Sequence, residues 1–486
     1  MVQKGDIIVT TIEDISGDGA GIGKVDGMAV FIDGCMPGDT VRAEVTKAKK
    51  NYAFARTLEI TEFSADRISP LCPHYASCGG CTYQEYDYDA QLVLKERQVR
   101  DKLERIGGLK EPVIREIIGQ KVTDEDGTEY IPFRYRNKGD YPVWNNLVGF
   151  YEKKSHKIVD VKECLLQSEA ADAVTRVIRS MNKGEIKNVV VKTAFGTGEV
   201  MAVLSCRENP SNLEAIITSM DEAAAEADYS LESVYTRIND KYRCVAGART
   251  ILDQVEIDGR ELSFEISAPS FYQVNTEQMK KLYEKAIEYA ALTGEETVLD
   301  LYCGIGTIGI SMAARAKQIV GIEVVKEAVL DANRNSVING IVNTRYICGK
   351  AEEVIEKAAS EDYSPRENSA EAVLQSALKE DKLVAVLDPP RAGCDEVLLR
   401  TIAEAGAGRI VYISCDPGTL ARDIKLLGEL GYEFVEATPV DMFGWTNHVE
   451  TVCLLSNRKP DSYVHLNLKM EDYYRIKDAE KEQGKK

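Results

Sequence analysis

A chain of 486 residues with 44% hydrophobic and 29% charged side chains is an ordinary globular sequence, long enough for two to four domains. No apolar run approaches bilayer length, which excludes a helical membrane protein, and no membrane partner is expected. The formal charge of −19 argues against general attraction to nucleic-acid phosphates.

That acid is localised, however. Residues 352–381 carry nine carboxylates against three basic groups, and residues 214–232 carry six against none. Between Arg42 and Arg56 the chain is instead basic with Tyr52 and Phe54 interleaved, and Phe133–Lys138 repeats the pattern. Local field decides binding more than the total does, so an RNA partner stays open. The opening MVQKGDIIVTTIED lacks a basic stretch followed by an apolar run, so a cytoplasmic location is expected.

Residues 1–60 read as short strands at 6–12, 27–32, 39–46 and 52–60, punctuated by Gly17, Gly19, Gly21, Gly23 and Gly34. A small closed barrel would hide the edges of so few strands. Residues 61–265 form a central α+β region. It contains a cysteine cluster, a helix at 91–106 expected to pack on the catalytic domain, further helices near 168–182 and 211–226, and β-rich stretches at 188–192 and 200–205. From 266 to 457 strands and helices alternate, which predicts a parallel sheet wrapped by helices. Residues 356–381 interrupt that alternation and read as a surface insertion. The charged tail 458–486 reads as frayed or helical surface.

Two segments carry the chemistry. TVLDLYCGIGTIG (297–309) is a strand ending at Asp300 and Leu301, followed by Gly304, Gly306 and Gly309 opening a helix. A glycine loop of this kind lets backbone approach a nucleotide-like ligand, and a dinucleotide site is its obvious rival. Asp300 would repel a pyrophosphate but could hold an ammonium group. Glu323, ending the next strand, could accept hydrogen bonds from ribose hydroxyls. Further strand ends carry Asp388-Pro389-Pro390-Arg391, Ser414-Cys415-Asp416-Pro417 and Asn447-His448-Val449-Glu450-Thr451. A thiolate adding to C6 of uracil makes C5 nucleophilic, and a base must afterwards remove the C5 proton. Cys415 and Glu450 supply such a pair. Taken singly, the cysteine could be a small buried hydrophobe and the glutamate a surface carboxylate.

Together FYQVN (271–275), the glycine loop, Ile322-Glu323, DPPR, SCDP and TNHVET resemble the RNA (uracil-5-)-methyltransferase family. The resemblance implies a class I (Rossmann-like) S-adenosylmethionine-dependent domain within an α/β fold. It also implies that Gln273, Tyr302, Glu323 and Asp388 contact S-adenosyl-L-methionine, with Cys415 as nucleophile and Glu450 as base. Asp416 departs from the asparagine that many members carry after the nucleophile. The N-terminal barrel resembles a TRAM domain, an OB-like RNA-binding module.

Cys72, Cys78 and Cys81 give the spacing C-x5-C-x2-C, and three thiols in one short loop suggest a metal centre completed from elsewhere. Spacing alone leaves zinc and an iron–sulfur cluster open. The ribosomal branch of the resembled family implies a 4Fe-4S cluster, with Cys164 as the distant ligand and Cys206 and Cys244 as rivals. Barrel plus cluster implies 23S ribosomal RNA as the partner and a monomeric enzyme. The alternatives are a transfer-RNA (uracil-5-)-methyltransferase, a redox enzyme using a nicotinamide, and a non-catalytic iron–sulfur RNA-binding protein. Cys415 with Glu450 speaks against the last two.

Overall fold

A computed structural model describes residues 2–457 apart from Asp18, Asp124, Glu125, Thr128, Glu361, Glu380 and Asp381, so the charged tail 458–486 lies outside the described residues. Among the described residues no helix is long and apolar enough to cross a membrane.

Five strands, Ile7–Ile15, Gly21–Val25, Met28–Asp33, Thr40–Ala48 and Tyr52–Glu62, close into a barrel in the order first, second, third, fifth, fourth. Alternate residues of the first strand turn inward, as a strand with one solvated face requires. The second strand falls where the sequence suggests only glycine turns. A Cβ on Gly21 would sit 2.6 Å from the Cys35 sulfur, and one on Gly23 would sit 2.6 Å from a Thr10 methyl. These glycines mark close packing inside a sheet, not chain reversal.

Asp39 anchors the barrel to the cysteine-bearing loop. Fully buried, it accepts hydrogen bonds from the Met36 and Ser64 amides at 2.7 and 2.9 Å and an ion pair from Arg67 at 2.8 Å. Arg67 also reaches Glu85 at 2.7 Å, so one guanidinium clips the barrel to the far end of that loop.

The helix Tyr88–Arg105 begins three residues earlier than its apolar spacing predicts, because Asp87 caps it by accepting from the Asp89 and Ala90 amides. Its first half packs Leu94 with Ile15 and Tyr83. Its second half buries Val99 and Leu103 in the same core as Leu299 and Ile410. The helix thus joins the barrel to the C-terminal sheet.

Seven strands form a central sheet that is antiparallel except where Glu199–Cys206 runs parallel to Ser230–Ile238. Helices Glu169–Met181 and Leu213–Ala225 bury their apolar sides with its strand residues Val189, Val191 and Leu204. The hairpin Thr250–Ser267 shares a core with Met279 and Leu282 of the helix Thr276–Ala290 and with Val298 and Val411 of the C-terminal sheet.

That C-terminal sheet has the spatial order Thr344–Cys348, Gln318–Glu323, Thr297–Leu301, Leu383–Leu387, Arg409–Ser414, Glu450–Asn457, Tyr432–Val440. The first five strands are parallel, and Glu450–Asn457 inserts antiparallel between Arg409–Ser414 and Tyr432–Val440. The order reverses between Thr297–Leu301 and Leu383–Leu387, and ligands bind beyond the carboxyl ends of strands at such a point.

Residues 356–381 are not simply a surface insertion. Helices Ala351–Ala359 and Ala370–Ala377 cover the sheet, with Ile355 and Leu374 fully buried. They supply the crossover before Leu383–Leu387, and their acidic faces are its solvent side.

Replacing Arg67 by Met would leave the Asp39 carboxylate buried without its cation, which costs about 3 kcal/mol. The expected outcome is a thermal-unfolding midpoint several degrees below that of the wild type. An unchanged midpoint would show that the clip contributes nothing.

Candidate active site

The strand Thr297–Leu301 is wholly buried and opens into the glycine loop. Tyr302 follows with a φ of 63°, a left-handed conformation that costs a tyrosine energy and is retained only when its surroundings enforce it. Its hydroxyl leans on Cys394, and burial raises its pKa.

The Asp300 side chain is fully buried and accepts the Gly309 amide at 2.9 Å. A Cβ on Gly309 would lie 2.8 Å from that same oxygen, so glycine is required for the carboxylate to brace the helix start. Asp300 therefore holds the loop from beneath, with its other oxygen unpartnered among the described residues. Glu323 accepts the Gly304 amide at 3.1 Å on one oxygen and the Val325 amide at 2.8 Å on the other. A carboxylate has about four acceptor positions, so two remain free for hydroxyls.

Asp388 ends the neighbouring strand, and the Gln273 amide donates to it at 3.5 Å, the outer limit of a hydrogen bond. These two expected cofactor contacts, from segments 115 residues apart, meet at the mouth of the crevice.

Cys415 and Glu450 are brought together by strand pairing. Arg409–Ser414 pairs antiparallel with Glu450–Asn457, and the last register couple is Ser414 with Thr451. Cys415 is the residue just past that couple on one strand, Glu450 adjoins Thr451 on the other, and the Glu450 carboxyl acts electrostatically on the Cys415 thiol. Cys415 is half-buried and immediately precedes the helix Pro417–Glu429. Asp416 caps that helix by accepting the Gly418 and Thr419 amides at 2.8 and 3.0 Å. Asparagine has the same acceptor, so the cap would survive that exchange.

The electrostatics are those of carboxyl groups crowded out of water. Burial pushes Glu450 up to about 8, with Asp388 adding to the effect and Arg391 opposing it. Burial likewise pushes Asp388 and Asp300 up to about 7. The Cys415 thiol rises to about 11 through burial, Glu450 and Asp388, with Arg391 again opposing. Arg391 is the cation common to the Cys415 thiol and the Glu450 carboxyl. It belongs to the DPPR motif, yet nothing in the sequence assigns it a task. His448 is lowered to about 4 by burial and by Arg391, Lys95 and Arg136, so its imidazole is neutral near pH 7.

A cavity of about 430 Å³ adjoins this centre, lined by Arg391, Phe443 and His448 on one side and by Cys72, Cys78, Cys81 and Cys164 on the other. Cys206 and Cys244 are absent from its lining. The Cys206 thiol turns to the Leu204 carbonyl and that of Cys244 to carbonyls of its own strand end. The Gly80 amide donates to the Cys78 sulfur at 3.4 Å and the Gln84 amide to that of Cys81 at 3.3 Å. Among the described residues no three His, Cys, Asp or Glu side chains are grouped to hold a metal ion, so the expected metal centre is not found as a ready-made site. A single zinc ion would require its sulfurs about 4 Å from one another.

Folded chains that bury carboxyl groups with raised pKa values bind more protons than unfolded ones between the two values. Asp300, Asp388 and Glu450 rise from 3.8–4.5 to about 7–8, so stability is fully present below about pH 4 with respect to these groups and falls as pH climbs toward 8. Thermal midpoints measured from pH 5 to 8 are expected to decline, and Glu450→Gln is expected to flatten the decline. A midpoint that rises across this window in both proteins would contradict it.

Comparison with known proteins agrees with the geometry. Residues 204–458 match the tRNA (Uracil-5-)-methyltransferase family, and residues 2–58 match the TRAM domain. An uncharacterized RNA methyltransferase of Halalkalibacterium halodurans is 40% identical over 477 residues, covering 93% of this chain and 98% of its relative. Another, from Listeria innocua, is 39% identical over 94% and 99% of the two chains. The crystal structure of Pyrococcus abyssi tRNA (uracil-54, C5)-methyltransferase in complex with S-adenosyl-L-homocysteine superposes with a TM-score of 0.66. It is 25% identical and covers 92% of this chain and all of that one. With matches of this extent over a sheet, glycine loop and barrel of the expected kind, the chain belongs to the RNA (uracil-5-)-methyltransferase family.

Proposed function

We propose that this enzyme methylates carbon 5 of a uridine in 23S ribosomal RNA, with Cys415 as the covalent nucleophile and Glu450 as the base. The observation that supports this reading is the ladder register Ser414–Thr451, next to which the Cys415 thiol lies within the electrostatic reach of the Glu450 carboxyl.

S-adenosyl-L-methionine, when bound, supplies an electrophilic methyl group. Asp300 leaves a buried oxygen without a partner among the described residues, and Glu323 retains free acceptor positions, a donor set suited to a cationic, ribose-bearing ligand. Gln273 and Asp388 orient the cofactor or the uracil edge from the opposite lip.

Cys415 attacks C6 as its thiolate, forming a C–S bond and placing the electron pair of the 5,6 double bond on C5 and O4. Arg391 is the cation beside it that favours the thiolate. C5 then takes the methyl group. Glu450 removes the C5 proton, the C6–S bond breaks, and the double bond and the thiolate are restored, the proton remaining on Glu450. A carboxyl whose pKa lies near the working pH can accept and release that proton in turn. The uridine must leave its stack to reach the crevice.

RNA has a landing surface on the barrel. Tyr52 and Phe54 are exposed and form edge-to-face ring pairs, Phe31 with Tyr52 at 5.9 Å and Tyr52 with Phe54 at 5.5 Å. Exposed Lys47, Lys49 and Lys50 flank them. Bases stack on such rings, and the lysines meet phosphates despite the acidic total. Transfer RNA is the second reading, favoured by the substrate of the superposed Pyrococcus abyssi enzyme.

The decisive experiment incubates the full chain and S-adenosylmethionine with unmodified transcripts of 23S ribosomal RNA and of transfer RNA. Methyl incorporation is expected in the ribosomal transcript, and incorporation in transfer RNA alone would overturn the substrate assignment. Cys415→Ala is expected to abolish turnover. Glu450→Gln is expected to accumulate a covalent protein–RNA adduct on denaturing gels. Retained turnover in Cys415→Ala would remove the mechanism.

We further propose that Cys72, Cys78, Cys81 and Cys164 hold a 4Fe-4S cluster. What supports this reading is that all four thiols line one cavity, and a 4Fe-4S cluster takes four cysteines. Methyl transfer needs no electron, so the cluster's part is architectural. Anaerobic purification is expected to yield brown protein containing iron and sulfide, whereas stoichiometric zinc would refute the cluster.

A further inference from the structure

The segment Asp441–Trp445, which leads into Glu450, has no regular secondary structure, and its backbone carbonyls are nevertheless all engaged from outside. The Gln120 amide donates to the Asp441 carbonyl at 2.8 Å and Asn275 to that of Met442 at 3.1 Å. The Lys95 ammonium donates to the Phe443 carbonyl at 3.1 Å and the Tyr135 hydroxyl to that of Gly444 at 2.9 Å. The Thr82 and Tyr83 amides both reach the Trp445 carbonyl at 3.0 Å. Five consecutive carbonyls are thus held by five separate parts of the chain.

The side chain of Asp441 is held as firmly. It accepts from Lys95 at 2.5 Å and from the Tyr88 hydroxyl at 2.6 Å, and the Lys95–Asp441 pair is completely buried. Trp445 has a φ of 67° and stacks on Phe133 with ring centroids 5.7 Å apart. A left-handed tryptophan persists only where its neighbours over-determine it.

We propose that Lys95, Gln120, Asn275 and Tyr135 are positioning residues for removal of the C5 proton, acting by templating residues 441–445 and hence the Glu450 carboxyl. The inference rests on Glu450 being the base. Cys415 and the glycine loop hang from other strands, so loosening this segment leaves thiol addition and methyl transfer in place and slows the elimination alone. Misplacing a proton-transfer group by about 1 Å costs on the order of a hundredfold in rate.

The test uses the full chain carrying Tyr135→Phe, which deletes one hydroxyl, or the charge-free pair Lys95→Met with Asp441→Asn. Each is incubated with S-adenosylmethionine and the unmodified transcript that the wild type methylates. Denaturing gels read the covalently bound fraction, and initial rates give kcat and KM. The expected result is a covalent fraction raised about tenfold and a kcat lowered about tenfold, with KM for the cofactor within about twofold of wild type. Unchanged kcat in Tyr135→Phe, or a lower kcat with the covalent fraction at wild-type level, overturns the inference. Should the double variant fail to fold, Tyr135→Phe decides alone. Glu450→Gln runs alongside: no adduct there defeats the base assignment and this inference with it. Adduct in Glu450→Gln but not in Tyr135→Phe defeats the positioning role only.

Discussion

The pairing of Glu450–Asn457 with Arg409–Ser414 is the constraint on which the site depends. Both strands are almost entirely buried, and buried β-ladders tolerate no slip, because a shift of one residue turns every side chain to the opposite face. Register here is therefore set by core packing, through residues such as Ile410, Val411, Val452 and Leu455. The same register brings the strand end that precedes Cys415 beside the strand that begins at Glu450. Hydrophobic burial does the positioning, with Glu450 the first residue of its packed strand and Cys415 the first residue beyond its own.

What packing cannot settle is ionisation, and here the enzyme works against ordinary solvation. Burial raises the pKa of three carboxyl groups and a thiol, Asp388 adds to the effect on Asp300, Glu450 and Cys415, and Arg391 is the cation that opposes it on both Glu450 and Cys415. Such an arrangement is costly in the free protein and suits a site completed by a positively charged ligand. On the proposed mechanism the same crowding has two opposed effects. It keeps Glu450 exchangeable near neutral pH, whereas it works against the Cys415 thiolate, which Arg391 and a cationic ligand favour.

Much of the fold is legible in the sequence because it rests on local signals. The alternation of strands and helices, the glycine loop and the strand-end motifs all come from patterns within about twenty residues. Elsewhere tertiary contacts replace local logic. Gly21 and Gly23 look like turn residues until Cys35 and Thr10 are seen pressing on them. The acidic composition of 352–381 hides an apolar row at Ala351, Val354, Ile355 and Ala358 whose spacing is helical. Asp300, by its place in the sequence, is free to meet a ligand, yet it spends one oxygen on Gly309. The tasks of Lys95 and Asp441 are illegible for a plainer reason: 346 residues separate them, and no local pattern announces a pair at that distance.

That pair also explains why a methyltransferase sheet should carry a barrel and a cysteine loop so intimately. Thr82 and Tyr83, directly after Cys81, hold the Trp445 carbonyl, and the Trp445 ring shares a cluster with Cys81 and Cys164. On the other side Asn447 donates to the carbonyl of Gly17, at the tip of the barrel's first turn. The wall of the crevice that bears Glu450 is thus built jointly by barrel, cysteine loop, bridging helix and sheet. A separate RNA-binding module tethered by a flexible linker would raise affinity but could not shape that wall. On the proposed function, the elements that meet the RNA and those that place the carboxyl share one buried network, so rigid placement of one fixes the other.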